Sequence, residues 1–320
     1  MPTLTQLEYI VAVEKFRHFG KAAEACHVSQ PSLSMQIQKV EEALGIVIFD
    51  RAKKPILPTE KGQRFIEQAK TLLRENQKLL QVAKQDNLEI SGQFRLGVIP
   101  TLAPYLLPLF IQDFSKLYPK VQLNIDELKT DDIVRDLKED SLDAAILATP
   151  LHEKGLKEKH LFYEEFFLYV GTEHALSKRK KIKEEDLNSN EMWLLQDGHC
   201  LRNQVIKICS IRNETGVFKN IHFEGGNLET LRYLVKNSNS YTLIPQLFAN
   251  TLPENEKKHL VKEFEQPVPS REISLVYRRD QWKADIIFAI EKVLLANLPP
   301  ELQRPADLKK SGNKFEIIGI

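Results

Sequence analysis

The chain reads as an α+β multidomain protein: an N-terminal winged helix-turn-helix, a long linker helix and a two-lobed α/β domain. Three observations carry this reading. Up to Gly45 apolar residues recur at helical spacing in short runs broken by turn signals, from Thr59 to Leu88 they form a seam, and beyond Ser91 β-rich runs alternate with amphipathic stretches. With 320 residues, 42% hydrophobic and 28% charged, the chain suffices for about two or three domains.

Leu7, Ile10, Val11 and Phe16 predict a helix over Leu4 to Phe16, and a shorter one follows from Lys21 to Cys26. Ser29 is a good N-cap, Pro31 suits a first helical turn, and Leu33, Ile37, Val40 and Leu44 continue at spacings of three or four until Gly45 closes the helix. The apolar run Ile46 to Phe49, the basic turn Arg51 to Pro55 and the return Ile56 to Leu57, ended by Pro58, predict a hairpin. Together these make a winged helix-turn-helix over residues 1–58, whose third helix would enter a major groove of double-stranded DNA while the wing meets phosphates. Around Pro31, the side chains of Ser29, Gln30, Ser32, Ser34 and Gln36 offer uncharged hydrogen-bonding groups to base edges, and Lys39, Arg51, Lys53 and Lys54 can neutralise phosphates. A small helical domain with a polar surface has the same pattern, because this spacing recurs by chance.

In the linker, residues 59–90, Phe65, Ala69, Leu72, Asn76, Leu79 and Ala83 alternate spacings of three and four, as in a coiled-coil seam. A homodimer is expected, with Asn76 setting register; the alternative is an amphipathic helix packed on its own domain. Residues 91–302 then carry strand Phe94 to Ile99, helix Ala103 to Leu117, strand Val121 to Asp126, helix Asp131 to Asp140 and strand Leu142 to Ala148, successive parallel βαβ units. Further strands are predicted at Phe166 to Val170, Met192 to Leu195, Tyr241 to Ile244 and Glu272 to Tyr277, and helices at Cys200 to Cys209, Leu228 to Val235 and Ala284 to Leu298. The lobes are placed at about 91–163 plus 267–302 and at about 164–266, followed by a C-terminal tail, 303–320, and the chain from Pro299 onward is expected to be loosely held.

The 45 Lys and Arg balance 44 Asp and Glu, so nucleic-acid binding must come from a local patch rather than a global field. No segment offers the ~20 apolar residues of a membrane span, and no export signal is expected at the N-terminus, so a cytoplasmic protein is expected. Three cysteines are too few for a disulfide framework, and in a reducing compartment a noticeable pair is reactive before it is structural. No CxxC or HxxxH spacing occurs, so neither a metal nor another cofactor is expected.

Phe19, Ala22, Ala23, Val28 to Ser34, Ile37, Leu44, Gly45, Phe49, Arg51 and Gly62 resemble the N-terminal signature of LysR-type transcriptional regulators. The domain order is similar across nearly the whole chain, and the resemblance implies a periplasmic-binding-protein-like regulatory domain. Asp197 to Arg202, with Gln204 and Cys209, resembles the sensing segment of the hydrogen-peroxide-responsive members of that family. That implies a peroxidatic Cys200, a resolving Cys209, and peroxide-site support from Thr101, Thr130, His199, Arg202 and Arg271. It also implies a dimer that pairs into a tetramer on an inverted-repeat operator, RNA polymerase as a partner, and a cellular thiol reductant. Departures from the resemblance are Ser240 and Tyr241, where a Gly-containing turn is usual, and the Lys- and Glu-rich stretch Lys178 to Asp186.

Locally, Asp197 as N-cap would put Cys200 third in its helix, where the helix dipole, Arg202 and His199 favour a thiolate. Read alone, a cysteine placed like Cys209 is more often a small hydrophobe on an apolar face than a resolving thiol, and each threonine is more often a helix cap. Two other functions use the same features: a regulator answering to a metabolite in the cleft, and a thiol peroxidase carrying a DNA-binding domain. A solute-binding protein is disfavoured by the missing export signal.

Overall fold

The computed structural model describes residues 1–82, 89–188, 191–209, 217–218, 221–222, 225–279, 281, 283–303 and 315–319. The chain divides into two compact units, Met1–Leu88 and Glu89–Ile320.

In the first unit, α1 (Leu4–Phe16) starts at a capping box in which Thr3 and Gln6 satisfy each other's backbone N–H. The His18 ring caps α2 (Phe19–Ala25) by accepting from the N–H groups of Gly20 and Lys21. For α3 (Gln30–Leu44) the cap is the Ser29 hydroxyl, which accepts from Ser32 N–H at 3.3 Å, and the end is Gly45 at φ 63°, a left-handed turn suited to glycine. The wing pairs β1 (Phe49–Asp50) with β2 (Leu57–Pro58), one residue beyond the expected return. Pro58 is tolerated inside this ladder because a two-stranded hairpin is all edge and can spare one donor. Glu41 ties α3 to the wing: its carboxylate accepts from the N–H of Ile48 at 2.7 Å and of Phe49 at 3.2 Å.

Helix α4 (Glu60–Val82) buries Ile66 and Ala69 in this unit and pairs Lys70 with Glu14 at 3.2 Å. The early part of the proposed seam is therefore covered by the helix's own domain. Leu72 and Leu79 remain 57% and 68% exposed. The rest of the expected linker helix, with Ala83, lies outside the described residues.

The second unit opens with β3 (Gly92–Val98), α5 (Ala103–Leu117), β4 (Val121–Glu127), α6 (Thr130–Lys138) and β5 (Ala144–Thr149), giving the parallel order β4-β3-β5. Next come β6 (Leu156–Val170), β7 (Lys181–Ile182), α7 (Cys200–Ile208), β8 (Val217–Phe218), β9 (Ile221–His222), α8 (Leu228–Lys236), β10 (Tyr241–Pro245), α9 (Gln246–Thr251), α10 (Glu254–Leu260), β11 (Val261–Phe264), β12 (Val268–Arg278), α11 (Ala284–Asn297) and β13 (Phe315–Ile317). The long strands β6 and β12 pair antiparallel with each other, and β12 also pairs antiparallel with β5. Two cores result. Phe94, Leu96, Phe110, Ile146, Phe162 and Ile290 belong to one, and Phe166, Leu168, Val205, Leu231, Ile244 and Phe264 to the other. Strand β6 serves both, with Phe162 in the first and Phe166 in the second.

Two expectations are corrected. Met192 to Leu195 is not a strand: only Met192 makes an isolated bridge, to Tyr241, although all four side chains are buried. A short apolar run covered on every side has no period to separate strand from buried coil. Nor is the tail loosely held along its described length: Leu302 is 2% exposed, β13 adds in parallel to β12 at Val268–Ser270, and Ile318 is buried in the second core. Tyr241, one of the departures, opens β10 against β6 and donates its hydroxyl to the Asn188 carbonyl at 2.7 Å.

Glu256 is a buried carboxylate satisfied by Arg232 at 2.9 and 3.1 Å, Lys236 at 2.8 Å and the Tyr169 hydroxyl at 2.9 Å. Its hydrogen bonds with Arg232, then those with Lys236 and Tyr169, hold its pKa down at about 2. A depressed carboxyl stabilises the fold fully above its unfolded pKa of 4.5 and loses that contribution as the pH falls through about 2. Chemical denaturation from pH 5 to 2 should show Glu256→Gln losing less stability than the parent chain, by on the order of 2 kcal/mol.

Candidate functional site

Helix α7 starts at Cys200 with His199 as N-cap, and the His199 side chain makes no capping bond. The expectation that Asp197 caps the helix and sets Cys200 third is thus corrected: Cys200 is its first residue. Gly198, at φ 86°, turns the chain so that the Asp197 carboxylate meets Arg202 Nε at 2.6 Å instead. Lys129 closes the turn from the other side, donating to the Asp197 carbonyl at 3.2 Å.

Cys200 is 4% exposed and lies in the first core, whereas Leu201, Val205 and Ile208 of the same helix lie in the second. Around its sulfur stand the N–H groups of Leu201 and Ala148, the Thr130 hydroxyl and the Arg271 guanidinium, all of which favour the thiolate. Burial outweighs them and pushes the thiol's pKa up. The Thr130 hydroxyl is buried with no hydrogen-bond partner of its own among the described residues. Ala148 lies near the end of β5, Thr130 follows β4, and Thr101 follows β3. The thiol therefore sits at the carboxyl edge of the parallel strands, where open α/β sheets bind ligands.

Of the two arginines expected to support the site, Arg271 acts on the sulfur and Arg202 does not. Arg202 bonds Asp197 and the Leu195 carbonyl, the latter at 3.0 Å, and so braces the turn. His199 is 5% exposed, and burial together with the charge of Lys129 lowers its pKa, which keeps the imidazole neutral. Its Nε2 is buried without a partner among the described residues. Arg271 is fully buried; it donates from Nε to Glu164 at 2.8 Å and from Nη1 to the Thr101 hydroxyl at 3.1 Å. Glu164, also fully buried, accepts from Leu247 N–H at 2.7 Å with its other oxygen. Sequence reasoning missed Glu164; its one signal is the pair Glu164 and Glu165 inside the apolar and aromatic run Leu161 to Val170, where a carboxylate that turns inward must be compensated.

Cys209 is the C-cap of α7, half-buried beside the second core, with its sulfur 4.0 Å from that of Met192. Burial and then the charge of Glu184 raise its pKa to about 12. Both thiols are free. The helix between them puts their Cα atoms roughly 13 Å apart, against about 4.4–6.8 Å in a disulfide. Cys26, also free, packs at the edge of the first unit's core. Among the described residues no group of three or more His, Cys, Asp or Glu could hold a metal ion, and no helix is long and apolar enough to cross a membrane.

In the first unit, Ser29, Gln30, Pro31, Ser32 and Lys39 are exposed along α3. Ser34 and Gln36 are half-buried and already engaged, Ser34 with Arg51 Nη1 at 3.4 Å and Gln36 with Gln6 Nε2 at 2.9 Å. Arg51 also bonds Glu41 at 3.0 Å and lies 5.3 Å from the Phe19 ring. A groove of about 520 Å3 runs between helix and wing, lined among others by Arg17, Lys21, Gln30, Arg51, Lys53 and Lys54. Arg17 and Lys21 were not singled out from the sequence, since Arg17 caps the end of α1 and Lys21 lies in α2, outside the reading helix and the wing.

Two domain families match this chain: the bacterial regulatory helix-turn-helix of the lysR family over residues 4–63, and the LysR substrate binding domain over residues 88–289. The chain belongs to the LysR family of DNA-binding transcriptional regulators. Its similar relatives narrow the kinship. It is 38% identical over 277 residues to the hydrogen peroxide-inducible genes activator of Haemophilus influenzae, covering 86% of this chain and 90% of that one. It is 37% identical over 277 residues to the DNA-binding transcriptional dual regulator OxyR of Escherichia coli, covering 86% and 89%. Among solved structures, a cysteine variant of full-length OxyR from Pseudomonas aeruginosa is 31% identical with a TM-score of 0.77, over 92% of this chain and 98% of that one. A hydrogen peroxide-bound cysteine mutant of Corynebacterium glutamicum OxyR is 28% identical with a TM-score of 0.58, over 92% of each chain.

The raised thiol at Cys209 has a direct readout. With a pKa of about 12, its iodoacetamide labelling in the folded, reduced protein at pH 8 should be slower than that of an unfolded thiol. The difference should be at least about a hundredfold, because only the thiolate reacts. Peptide-resolved mass spectrometry checks this.

Proposed function

We propose that this chain is an OxyR-like regulator that senses hydrogen peroxide through Cys200 and Cys209 and transmits the change to DNA. The supporting observation is the Cys200 sulfur at the carboxyl edge of the parallel sheet, faced by Arg271, Thr130 and two N–H groups, with a second thiol at the far end of the same short helix. The Cys200 sulfur attacks one peroxide oxygen; the O–O bond breaks, hydroxide leaves and takes up the thiol proton as water, and Cys200 becomes a sulfenic acid. Arg271 and Thr130 stabilise the negative charge while it moves from sulfur to the leaving oxygen. Cys209 then attacks the Cys200 sulfur, the S–O bond breaks, and a disulfide and a second water form. Two thiols supply the two electrons, and a cellular dithiol returns them afterwards. One event per stimulus makes this a switch rather than a peroxidase.

On the DNA side, the exposed Gln30 and Ser32 on α3 offer hydrogen-bonding groups to base edges, and Arg17, Lys21, Lys39, Arg51, Lys53 and Lys54 supply phosphate-neutralising charge. The exposed Leu72 and Leu79 on α4 suit a homodimer seam, so the operator carries inverted half-sites; pairs of dimers and contact with RNA polymerase complete the cytoplasmic assembly.

Two sets of variants test the reading. Cys200→Ser should abolish oxidation at low peroxide, and Cys209→Ser should leave Cys200 as a sulfenic acid or mixed disulfide, both read by mass spectrometry of intact protein. Cys209 oxidising first would refute the order. Separately, Lys53→Ala should weaken binding to all DNA sequences and lower the salt slope by about one, whereas Gln30→Ala should change sequence preference. A footprint indifferent to both would remove α3 and the wing from the interface.

A further inference from the structure

We propose that residues 315–319 form a strap that holds α7 helical and so sets the peroxide level at which the disulfide closes. The second half of this statement rests on the redox reading above; the first half does not. Strand β13 adds to β12 along Val268–Ser270, directly before Arg271, and Ile318 N–H donates to the Ser270 carbonyl at 2.8 Å. Ile318 is buried in the same core as Leu201, Val205 and Ile208 of α7. The strap also binds α7 itself. Gln204 Nε2 donates to the Ile318 carbonyl at 2.8 Å, and Lys207 Nζ to the Gly319 carbonyl at 3.1 Å.

Gln204 and Lys207 are three apart and so share one helix face, midway between the two cysteines. Gln204 is 0% exposed, and its Oε1 has no hydrogen-bond partner among the described residues. A buried amide on an apolar face is costly unless paired, and Ile318 provides the pairing seen here. Bringing Cys200 and Cys209 together unwinds the helix between them and takes Gln204 and Lys207 away from the strap. Contacts made only in the helical state favour that state over every unwound one. Strap release and disulfide closure are therefore one coupled equilibrium.

The test compares the full reduced chain with a form ending at Gln303 and, should that truncation fold poorly, with Gln204→Leu, which keeps an apolar side chain in the core but loses the bond to Ile318. Hydrogen exchange is followed across Leu201–Ile208 and across β3 to β5, and the disulfide is titrated with hydrogen peroxide. Exchange in α7 should rise about tenfold with β3 to β5 unchanged, which equals about 1.4 kcal/mol of lost local protection. Half-closure should need several-fold less peroxide. Unchanged α7 exchange overturns the strap, as does an equal rise in both regions, which is general destabilisation. Faster α7 exchange with an unmoved peroxide dose overturns the threshold role. If the parent chain forms no disulfide at any dose, the redox reading fails instead, and the exchange arm alone decides whether the strap holds α7.

Discussion

The buried ion pair between Arg271 and Glu164 is the interaction on which the second unit depends. Both side chains are fully buried, on strands β12 and β6 where these pass from one core to the other. Two charges without water are costly, and the cost is met only where every remaining lone pair and proton is used. Here the second Glu164 oxygen takes Leu247 N–H, and Arg271 reaches the Thr101 hydroxyl, so one pair ties four chain segments together. The same pair governs the thiol. Arg271 is the strongest of the groups that favour a thiolate at Cys200, and burial still outweighs it, so the thiol's pKa moves up.

Helix α7 is shared between the cores in a way that makes a switch plausible physics. Its first residue belongs to the first core and its remaining buried residues to the second, with Cys209 at the second core's margin. Packed interiors do not deform continuously, so a helix shared in this way has discrete arrangements rather than a graded range. A covalent bond between its two ends is incompatible with the arrangement described. Closure of the proposed disulfide would therefore repack both cores.

The first unit was largely legible because local signals decide it. Ser29, Pro31 and Gly45 are cap residues whose roles depend on a few neighbouring backbone groups, and α3 starts and ends where they say. The parallel strands were legible through alternation of apolar runs with amphipathic helices. Asp197 misled because a cap and a salt bridge use the same carboxylate, and only the fold reveals that Arg202 claims it. Glu164 and β13 were illegible for a common reason: each is defined by a partner more than forty residues away in sequence, namely Arg271 and Val268–Ser270. Met192 to Leu195 failed on periodicity, since burial on all sides erases it.

The raised thiol at Cys200 looks opposed to its proposed chemistry, and the opposition is resolved by asking when each influence acts. Burial penalises any charge on the sulfur in the resting protein, so the ground state is a neutral thiol. Arg271, the Thr130 hydroxyl and the N–H groups of Leu201 and Ala148 have nothing to stabilise in that state. They gain when negative charge forms on sulfur and passes to the departing oxygen, which is stabilisation of the transition state over the ground state. Because the thiolate is the nucleophile, these donors act as the proton leaves the sulfur and the oxidant is attacked. Burial also keeps large thiol reagents from the sulfur, so in the proposed chemistry the apolar cover serves both the resting thiol and the preference for a small oxidant.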